Sequence, residues 1–289
     1  MTIKITIMIR TNTASDPSLI PLCQNPALSR KLPPMPDATA AVHPHPLPPH
    51  PDLAKYYDPH DGKRAFVNKI FDETAADYDR IERLIGLGSG SWYRRCALAR
   101  AGLAHGQLVL DVAVGTGMVA REACALTGSA QRVIGLDPSR GMLQHAADAL
   151  GIRPVIGTGE RLPIATGAID FLSMGYALRH LSDLATTFAE FHRVLRPGGR
   201  LCILEITKPN GRLATLLLKF YMRTIVPGLA RLIARRRSTA HLWAYYWDTI
   251  AACVPPATVQ SALETAGFTN VKRRVELGIF TEYNATKPT

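Results

Sequence analysis

The stretch that most constrains this chain is Val109–Met118, with the sequence VLDVAVGTGM. Its first four residues are apolar except for Asp111, as expected for a strand that is buried on both faces. Gly115 and Gly117 then permit backbone conformations that are closed to other residues, and they let a ligand approach the main chain. Helix-forming residues without a breaker follow. The stretch therefore predicts a buried strand, a glycine turn and the start of a helix, as in nucleotide-binding α/β units.

A second short apolar strand, Val133–Asp137, ends on a carboxylate. Asp137 follows Gly117 by about 20 residues, which is where nucleotide sites of this kind place the acid that binds the ribose hydroxyls. The six residues GTGMVA at 115–120 also satisfy the alanine variant of the dinucleotide fingerprint. The glycines alone therefore leave a nicotinamide cofactor open.

Three further features favour S-adenosylmethionine as the cofactor. The glycine motif lies after a helical N-terminal segment rather than at the start of the chain. The segment Gly157–Pro163 follows a third short strand, and we expect Gly159 to offer its backbone N–H to the adenine. A fourth strand at 168–173 precedes a turn that contains Arg179 and His180. In open α/β sheets ligands bind at this carboxyl edge, so the turn is the predicted catalytic region.

Composition narrows the function classes. The chain has 289 residues, of which 47% are hydrophobic, so it is long enough to bury one sizeable core. Its five cysteines are scattered without a Cys-x-x-Cys pair, which argues against a disulfide framework or a zinc cluster and favours a reduced, cytoplasmic setting. We expect no metal cofactor. We find no membrane span and no signal peptide. The net charge of +11 favours anionic surfaces as partners.

The chain divides into two parts by composition. Residues 1–55 are rich in Pro, Ala, Ser, Thr and Asn, which predicts a disordered Pro/His-rich tail. Residues 56–289 form the predicted folded domain. Strands and helices alternate from 107 to about 206, which requires a mostly parallel sheet with covered faces. A helix-rich insertion follows at about 211–251.

The remaining elements are predicted from local periodicity. Two helices are expected within 63–104, the second from Trp92 to Ala104. The fifth strand is expected over Arg200–Ile206, directly after a Pro-Gly-Gly turn. The segments Val271–Val275 and Ile279–Ala285 are expected to pair as a terminal hairpin.

Several motifs together point to one family. In order along the chain, five segments resemble the ubiquinone/menaquinone biosynthesis C-methyltransferases: Phe71–Asp79, Asp111–Gly117, Ala177–His180, Val194–Gly199 and Leu204–Pro209. The resemblance extends from about 64 to 285. It implies a class I methyltransferase, which is a Rossmann-like α/β fold with a seven-stranded mixed sheet, a helical N-terminal cap and a helical lid insertion. It also implies S-adenosylmethionine as the cofactor. The family's turn usually has the sequence Leu-Arg-Asn, whereas this chain has His180 in the third position.

Each candidate site residue has a structural alternative. Asp111 either orients the glycine turn around the cofactor or caps the end of its strand. Tyr78 either closes over the methionine part of the cofactor or packs inside the N-terminal helix. Arg179 is either catalytic or part of a structural salt bridge. Arg179 and His180 together are expected to hold a water molecule or another base that removes the proton from a ring hydroxyl of the substrate.

The insertion is both apolar and basic. Lys219, Arg223, Pro227 and Arg231 interrupt its apolar runs, so we do not expect it to span a bilayer. The insertion could be a lid that covers a hydrophobic substrate and binds anionic lipid through its arginines. Alternatively, it could be an amphipathic lid without a membrane role. The first alternative corresponds to a protein on the inner face of the membrane. Nucleic acid is a weaker candidate, because the basic run is short and lacks interleaved stacking aromatics.

The sequence therefore predicts methyl transfer to carbon of an electron-rich phenol or quinol. Two alternatives stay open at this point. One is O- or N-methylation of a small natural product on the same fold, and the other is a non-catalytic cofactor-binding member of a biosynthetic complex. Monomer and homodimer both stay open.

Overall fold

The computed structural model describes residues 46–57, 62–72, 89–228 and 238–289. Seven strands form one sheet: β1 Val109–Val112, β2 Val133–Asp137, β3 Arg153–Ile156, β4 Ile169–Gly175, β5 Leu195–Ile206, β6 Thr269–Glu276 and β7 Phe280–Thr286. The helices are α1 at 62–72, α2 Ser89–Arg100, α3 Met118–Thr127, α4 Arg140–Leu150, α5 Leu184–Val194, α6 Arg212–Phe220, α7 Ser238–Ala252 and α8 Pro256–Thr265.

The strand order in the sheet is β3-β2-β1-β4-β5-β7-β6. The first five strands are parallel, while β7 lies antiparallel between β5 and β6. This confirms the predicted seven-stranded mixed sheet and its terminal hairpin. Because β1 lies between β2 and β4, the carboxyl ends of these three strands meet at one edge of the sheet, where α/β folds bind their ligands.

Alternate strand residues bury opposite faces of the sheet. Val109 and Phe171 pack with α2, α3 and α4, whereas Leu110 and Leu172 pack with α5 and α8. Both faces are therefore covered, which explains the continuous apolar sequences of the parallel strands. Within the described ranges no helix is long and apolar enough to cross a membrane.

The fifth strand starts earlier than predicted. It begins at Leu195, which pairs with Ile169, and the next partners are Arg200 and Phe171. The Pro-Gly-Gly sequence therefore forms a bulge inside the strand rather than a turn before it. Gly198 has a φ of 73°, and its amide donates to the Lys287 carbonyl at the end of β7, so the extra residues remain tied to the sheet.

The boundary predicted for the N-terminal tail does not match the structure over residues 46–55, while residues 1–45 lie outside the described ranges. The Leu47 amide donates to Asp183 at 2.7 Å, and the Leu47 carbonyl accepts from Leu184 at the start of α5. Pro49 accepts from the Val254 amide, and His50 is buried. Because these hydrogen-bond partners lie far away in the sequence, the Pro-rich composition of the segment gives no sign of the contacts.

A third hydrophobic cluster covers the carboxyl edge of the sheet. It joins α1, α6, α7 and the N-terminal segment 53–57, and it is rich in aromatic rings such as Tyr57, Trp243 and Tyr246. After α6 the helix continues through a π-turn at Tyr221–Ile225. These helices form the roof of the site described next.

Candidate active site

A cavity of about 570 Å³ lies at the carboxyl ends of β1, β2 and β4, under the roof of α1, α6 and α7. Its floor includes the glycine turn after β1, Asp137 at the end of β2, and Gly159. The turn after β4 adds Arg179 and His180. Six of the eight predicted site residues therefore line one cavity. Gly117 does not line it, and Tyr78 lies outside the described residues.

The two glycines of the motif have different roles. Gly115 has a φ of 55°, and a Cβ added to it would meet no atom within 4 Å, so the backbone borders open space in the cavity. Gly117 has a φ of 90°, but its added Cβ would lie 2.6 Å from Leu150 of α4. We predicted a close approach of ligand to both glycines. At Gly117 the structure instead requires a left-handed backbone and close packing of α3 on α4.

Asp137 organises the loop that would hold the cofactor. One carboxylate oxygen accepts from the Gly115 amide at 2.9 Å, and the other accepts from the Ser139 amide at 2.8 Å. A carboxylate has about four lone-pair positions, so Asp137 keeps capacity for two more donors on its cavity side. Burial raises the pKa of Asp137 to about 6, although both amides lower it. The two free acceptor positions of Asp137 match the two ribose hydroxyls of an adenosyl group.

Asp111 lies behind the glycine turn and is buried. Ser173 donates to one of its oxygens at 2.6 Å, and the other oxygen is buried without a hydrogen bond of normal geometry to any described residue. Burial raises the pKa of Asp111 to about 7. A buried carboxyl with unused acceptor capacity at the cavity fits a cationic or hydrogen-bond-donating ligand, as its predicted role beside the cofactor requires.

Arg179 is fully buried, and its guanidinium is committed to the protein. It donates to Glu205 at 2.5 Å and to Thr249 of α7 at 3.3 Å, and it stacks over the ring of Tyr246 at 5.3 Å. Burial raises the pKa of the Glu205 carboxyl, and the guanidinium of Arg179 counteracts this rise. The pair fixes the turn after β4 to β5 and to the roof. These contacts favour the structural alternative for Arg179.

His180 differs from Arg179 because half of its hydrogen-bonding capacity is unused. Its Nδ1 lies 3.3 Å from the Tyr245 hydroxyl, and its buried Nε2 has no hydrogen-bond partner among the described residues. The ring lies among Phe71, Tyr245 and Tyr246. Burial, reinforced by the charge of Arg179, lowers the pKa of His180 well below its ordinary value. The imidazole is therefore neutral and able to accept a proton or a hydrogen bond.

The upper half of the cavity is apolar and aromatic. Its lining includes Phe71 of α1, Met222 after α6, Trp243 and Tyr246 of α7, and Phe280 of β7. None of these was predicted individually as a site residue. Two sequence signals concern this lining. Phe71 opens one of the segments that resemble the family, and Trp243 and Tyr246 have an i, i+3 spacing that equally fits a core face. Such a lining favours a flat, hydrophobic second ligand.

The sequence profile of the ubiE/COQ5 methyltransferase family matches residues 59–287, nearly the whole described domain. The chain belongs to this family. Among its relatives, the demethylmenaquinone methyltransferase of Mycolicibacterium vanbaalenii is 32% identical over 231 residues, covering 80% of this chain and 96% of the relative. The ubiquinone/menaquinone biosynthesis C-methyltransferase UbiE of Hahella chejuensis is 30% identical, covering 71% of this chain and 84% of the relative.

Solved structures of S-adenosylmethionine-dependent methyltransferases share the fold. Phosphoethanolamine N-methyltransferase 2 of Haemonchus contortus, in complex with S-adenosyl-L-methionine, matches 79% of this chain and 60% of its own with a TM-score of 0.57 and 15% identity. A methyltransferase from Aquifex aeolicus matches 72% of this chain and 97% of its own with a TM-score of 0.51 and 20% identity. The predicted class I methyltransferase fold is confirmed.

Membership of the family makes the chain an S-adenosylmethionine-dependent methyltransferase. The residues present fit this cofactor. Gly115 offers backbone next to open space, and Asp137 has unused acceptors at the end of β2. Asp111 adds a partly unpaired carboxyl. The cofactor, when bound, supplies an electrophilic methyl group on a sulfonium.

Proposed function

We propose that this methyltransferase acts on a ring carbon of a quinol or related phenol in quinone biosynthesis. The observation that carries the proposal is the cavity itself, in which a polar floor faces an aromatic, apolar roof around one neutral histidine. The names of the relatives, a demethylmenaquinone methyltransferase and a ubiquinone/menaquinone C-methyltransferase, agree with that chemistry.

The acceptor carbon needs activation before it can attack. A quinol ring carbon is a weak nucleophile until a ring hydroxyl loses its proton, because the resulting phenolate places electron density on the neighbouring carbon. We assign to His180 the role of accepting this proton. The residue lines the cavity, and its Nε2 is buried without a hydrogen-bond partner among the described residues. Burial keeps the ring neutral at ordinary pH, so one ring nitrogen has a lone pair for the proton. The same burial makes the imidazole a weak base, and the proton transfer therefore depends on the phenolate being consumed by methyl transfer.

Arg179 acts as a positioning residue in this proposal. Its buried bonds to Glu205 and Thr249 hold the turn that carries His180 against both the sheet and α7. The aromatic roof excludes water and holds the ring in a fixed plane, so that orientation supplies a large part of the rate enhancement.

The proposal is tested with the full chain, a ¹³C-methyl-labelled cofactor and a short-chain demethylmenaquinol. We expect the label on a ring carbon, identified by mass spectrometry and carbon NMR. Menaquinol is the matched control, because its acceptor carbon already carries a methyl group and should gain no label. A methyl ether as the product, or no product although the cofactor binds, would contradict the proposal.

We also propose that α6 docks the enzyme on an anionic membrane, where such substrates reside. Four large apolar side chains on α6 are 56–70% exposed: Leu213, Leu216, Leu217 and Phe220. They recur at positions i, i+3, i+4 and i+7, so they share one face. On the same helix and just after it, Leu218 and Met222 line the cavity. One helix thus presents an apolar face outwards and part of the substrate chamber inwards.

Charge around α6 supports an anionic partner. Between Glu205 and Asp248 the sequence contains eight Lys or Arg residues and no Asp or Glu. Arg212, Lys219 and Arg223 are exposed on or beside α6. An exposed apolar face flanked by cations is typical of helices that lie in the interface of an anionic bilayer.

Sedimentation with vesicles of anionic phospholipid tests this docking. The double substitution L216Q and L217Q should weaken binding about tenfold or more at any salt concentration, because it removes apolar area from the bilayer. Replacing Arg235, Arg236 and Arg237 by Gln is the matched comparison. It should weaken binding at low salt and have little effect at high salt. If the unmodified protein does not bind anionic vesicles at low salt, the membrane proposal is wrong.

A further inference from the structure

A chain of buried hydroxyl groups leads from His180 to the N-terminal segment. The Nδ1 of His180 lies 3.3 Å from the Tyr245 hydroxyl, which lies 3.2 Å from the hydroxyl of Tyr57. Tyr245 is fully buried and Tyr57 is 9% exposed. The chain thus crosses from the turn after β4, through α7, to residues 46–57.

The direction of these bonds decides which imidazole nitrogen carries the proton. A neutral imidazole has one N–H donor and one acceptor nitrogen. If Nδ1 donates to Tyr245, and Tyr245 donates to Tyr57, then Nε2 is an unprotonated acceptor. If the bonds run the other way, Nε2 carries the hydrogen and cannot take a proton from a substrate.

The surroundings of His180 keep its imidazole neutral. The charged or titratable groups around it are Arg179 on its own turn, Lys63 of α1 and His50 of the N-terminal segment, and each of these lowers its pKa. Burial also raises the pKa of Tyr245 and of Tyr57 above the ordinary value, so both hydroxyls keep their protons, and each can accept one hydrogen bond while it donates another.

We propose that Tyr245 and Tyr57 are positioning residues, which hold His180 in the tautomer with a hydrogen on Nδ1 and a free lone pair on Nε2. The inference rests on the proposed function, since a substrate hydroxyl is what needs that lone pair. It makes the segment 46–57 part of the active site, although it contacts no reacting atom. Lys55 and Tyr56 anchor the same segment by donating to Asp248 of α7 at 2.6 and 2.5 Å.

Nitrogen NMR of the full chain labelled with ¹⁵N-histidine reads the tautomer directly. The signals of His180 are assigned by their loss in the variant H180Q. We expect a protonated Nδ1 and an unprotonated Nε2 in the unmodified protein. Tyr245→Phe should convert this to a mixture of tautomers. A hydrogen found on Nε2 in the unmodified protein would overturn the inference whatever the activity is.

Kinetics supply the second measurement. Tyr245→Phe should lower kcat by about 10- to 100-fold with little change in KM, by analogy with the loss of outer hydrogen-bond partners of metal-bound histidines. Tyr57→Phe should give a smaller decrease in the same direction. Tyr56→Phe is the matched control, because it removes a hydroxyl of the same segment that bonds to Asp248 of the same helix rather than to Tyr245. Equal losses in Tyr56→Phe and Tyr57→Phe would contradict the inference.

The two proposals fail in different ways. If the demethylmenaquinol gains no labelled methyl group but the NMR signals show the expected tautomer, the substrate is wrong and the chain of hydroxyl groups stands. If the quinol is methylated and the tautomer is reversed, the substrate stands and the hydroxyl chain is wrong. Should Tyr245→Phe not fold, the unmodified protein and Tyr57→Phe still decide the question.

Discussion

Replacing Arg179 by Met is expected to destabilise the protein by about 3–5 kcal/mol, the usual cost of leaving one partner of a buried ion pair alone. Arg179 and Glu205 are both 1% exposed, and the guanidinium also donates to Thr249. Without it the Glu205 carboxylate would be buried without its countercharge, or it would have to bind a proton. For a domain of this size, the melting temperature should fall by about 10 °C.

The double variant Arg179→Met, Glu205→Leu is the decisive control. Because it removes both charges, it should regain most of the lost stability, measured as the free energy of unfolding in urea. The surface pair of Arg274 and Glu276 provides a comparison, since Arg274→Met should change stability by less than about 1 kcal/mol. If Arg179→Met were as mild as the surface variant, the pair would not hold the turn as we infer.

Much of the sheet could be predicted because its signals are local. β1 and β2 are short segments rich in β-branched residues that end on a turn or a carboxylate. The turn after β1 is recognisable because its glycines permit backbone conformations that other residues do not adopt. The hairpin of β6 and β7 followed from alternation and from the turn between them. Such patterns depend on neighbours within a few residues, which is why they survive without tertiary information.

Other features could not be predicted from the sequence, because they depend on contacts between residues that are far apart in the chain. The segment 46–57 has the composition of a solvated tail, yet it forms hydrogen bonds to the start of α5, to Asp248 of α7 and to Val254 just after α7. Gly117 looked like a ligand contact, but the atom that excludes a side chain there belongs to Leu150 of α4. Neither partner can be identified from the local sequence.

The same dependence on distant contacts limited what could be predicted of the cavity. Asp111, Gly115, Asp137 and Gly159 were predicted because each lies near the carboxyl end of a strand, and the topology brings strand ends together. The aromatic roof comes from four separate elements, α1, the turn after α6, α7 and β7. Each of its side chains also fits an ordinary core position by periodicity, so only the packed structure distinguishes chamber from core.

Replacing Asp137 by Ala is expected to weaken cofactor binding by about 10- to 150-fold, which corresponds to the loss of charge-assisted hydrogen bonds worth about 1.5–3 kcal/mol. The residue lines the cavity at the end of β2, and its two amide partners leave acceptors for ribose hydroxyls. The loss of the Gly115 bond also loosens the loop. Isothermal calorimetry with S-adenosylmethionine measures the effect, and Asp148→Ala, an exposed carboxylate of α4, should leave the affinity unchanged.

The pH dependence of binding separates charge from shape at this position. The pKa of Asp137 is raised to about 6 by burial, so the ionised form predominates above that pH and the neutral form below it. Since a neutral carboxyl accepts hydrogen bonds less strongly, cofactor affinity should fall as the pH drops through 6. Asp111, with a pKa of about 7, titrates in an overlapping range, so Asp111→Asn is measured beside Asp137→Asn. We expect Asp137→Asn to bind weakly at all pH values and to lose the acid limb near pH 6. An unchanged acid limb in that variant, with the fold intact by circular dichroism, would assign the titration to another group and contradict the role of Asp137.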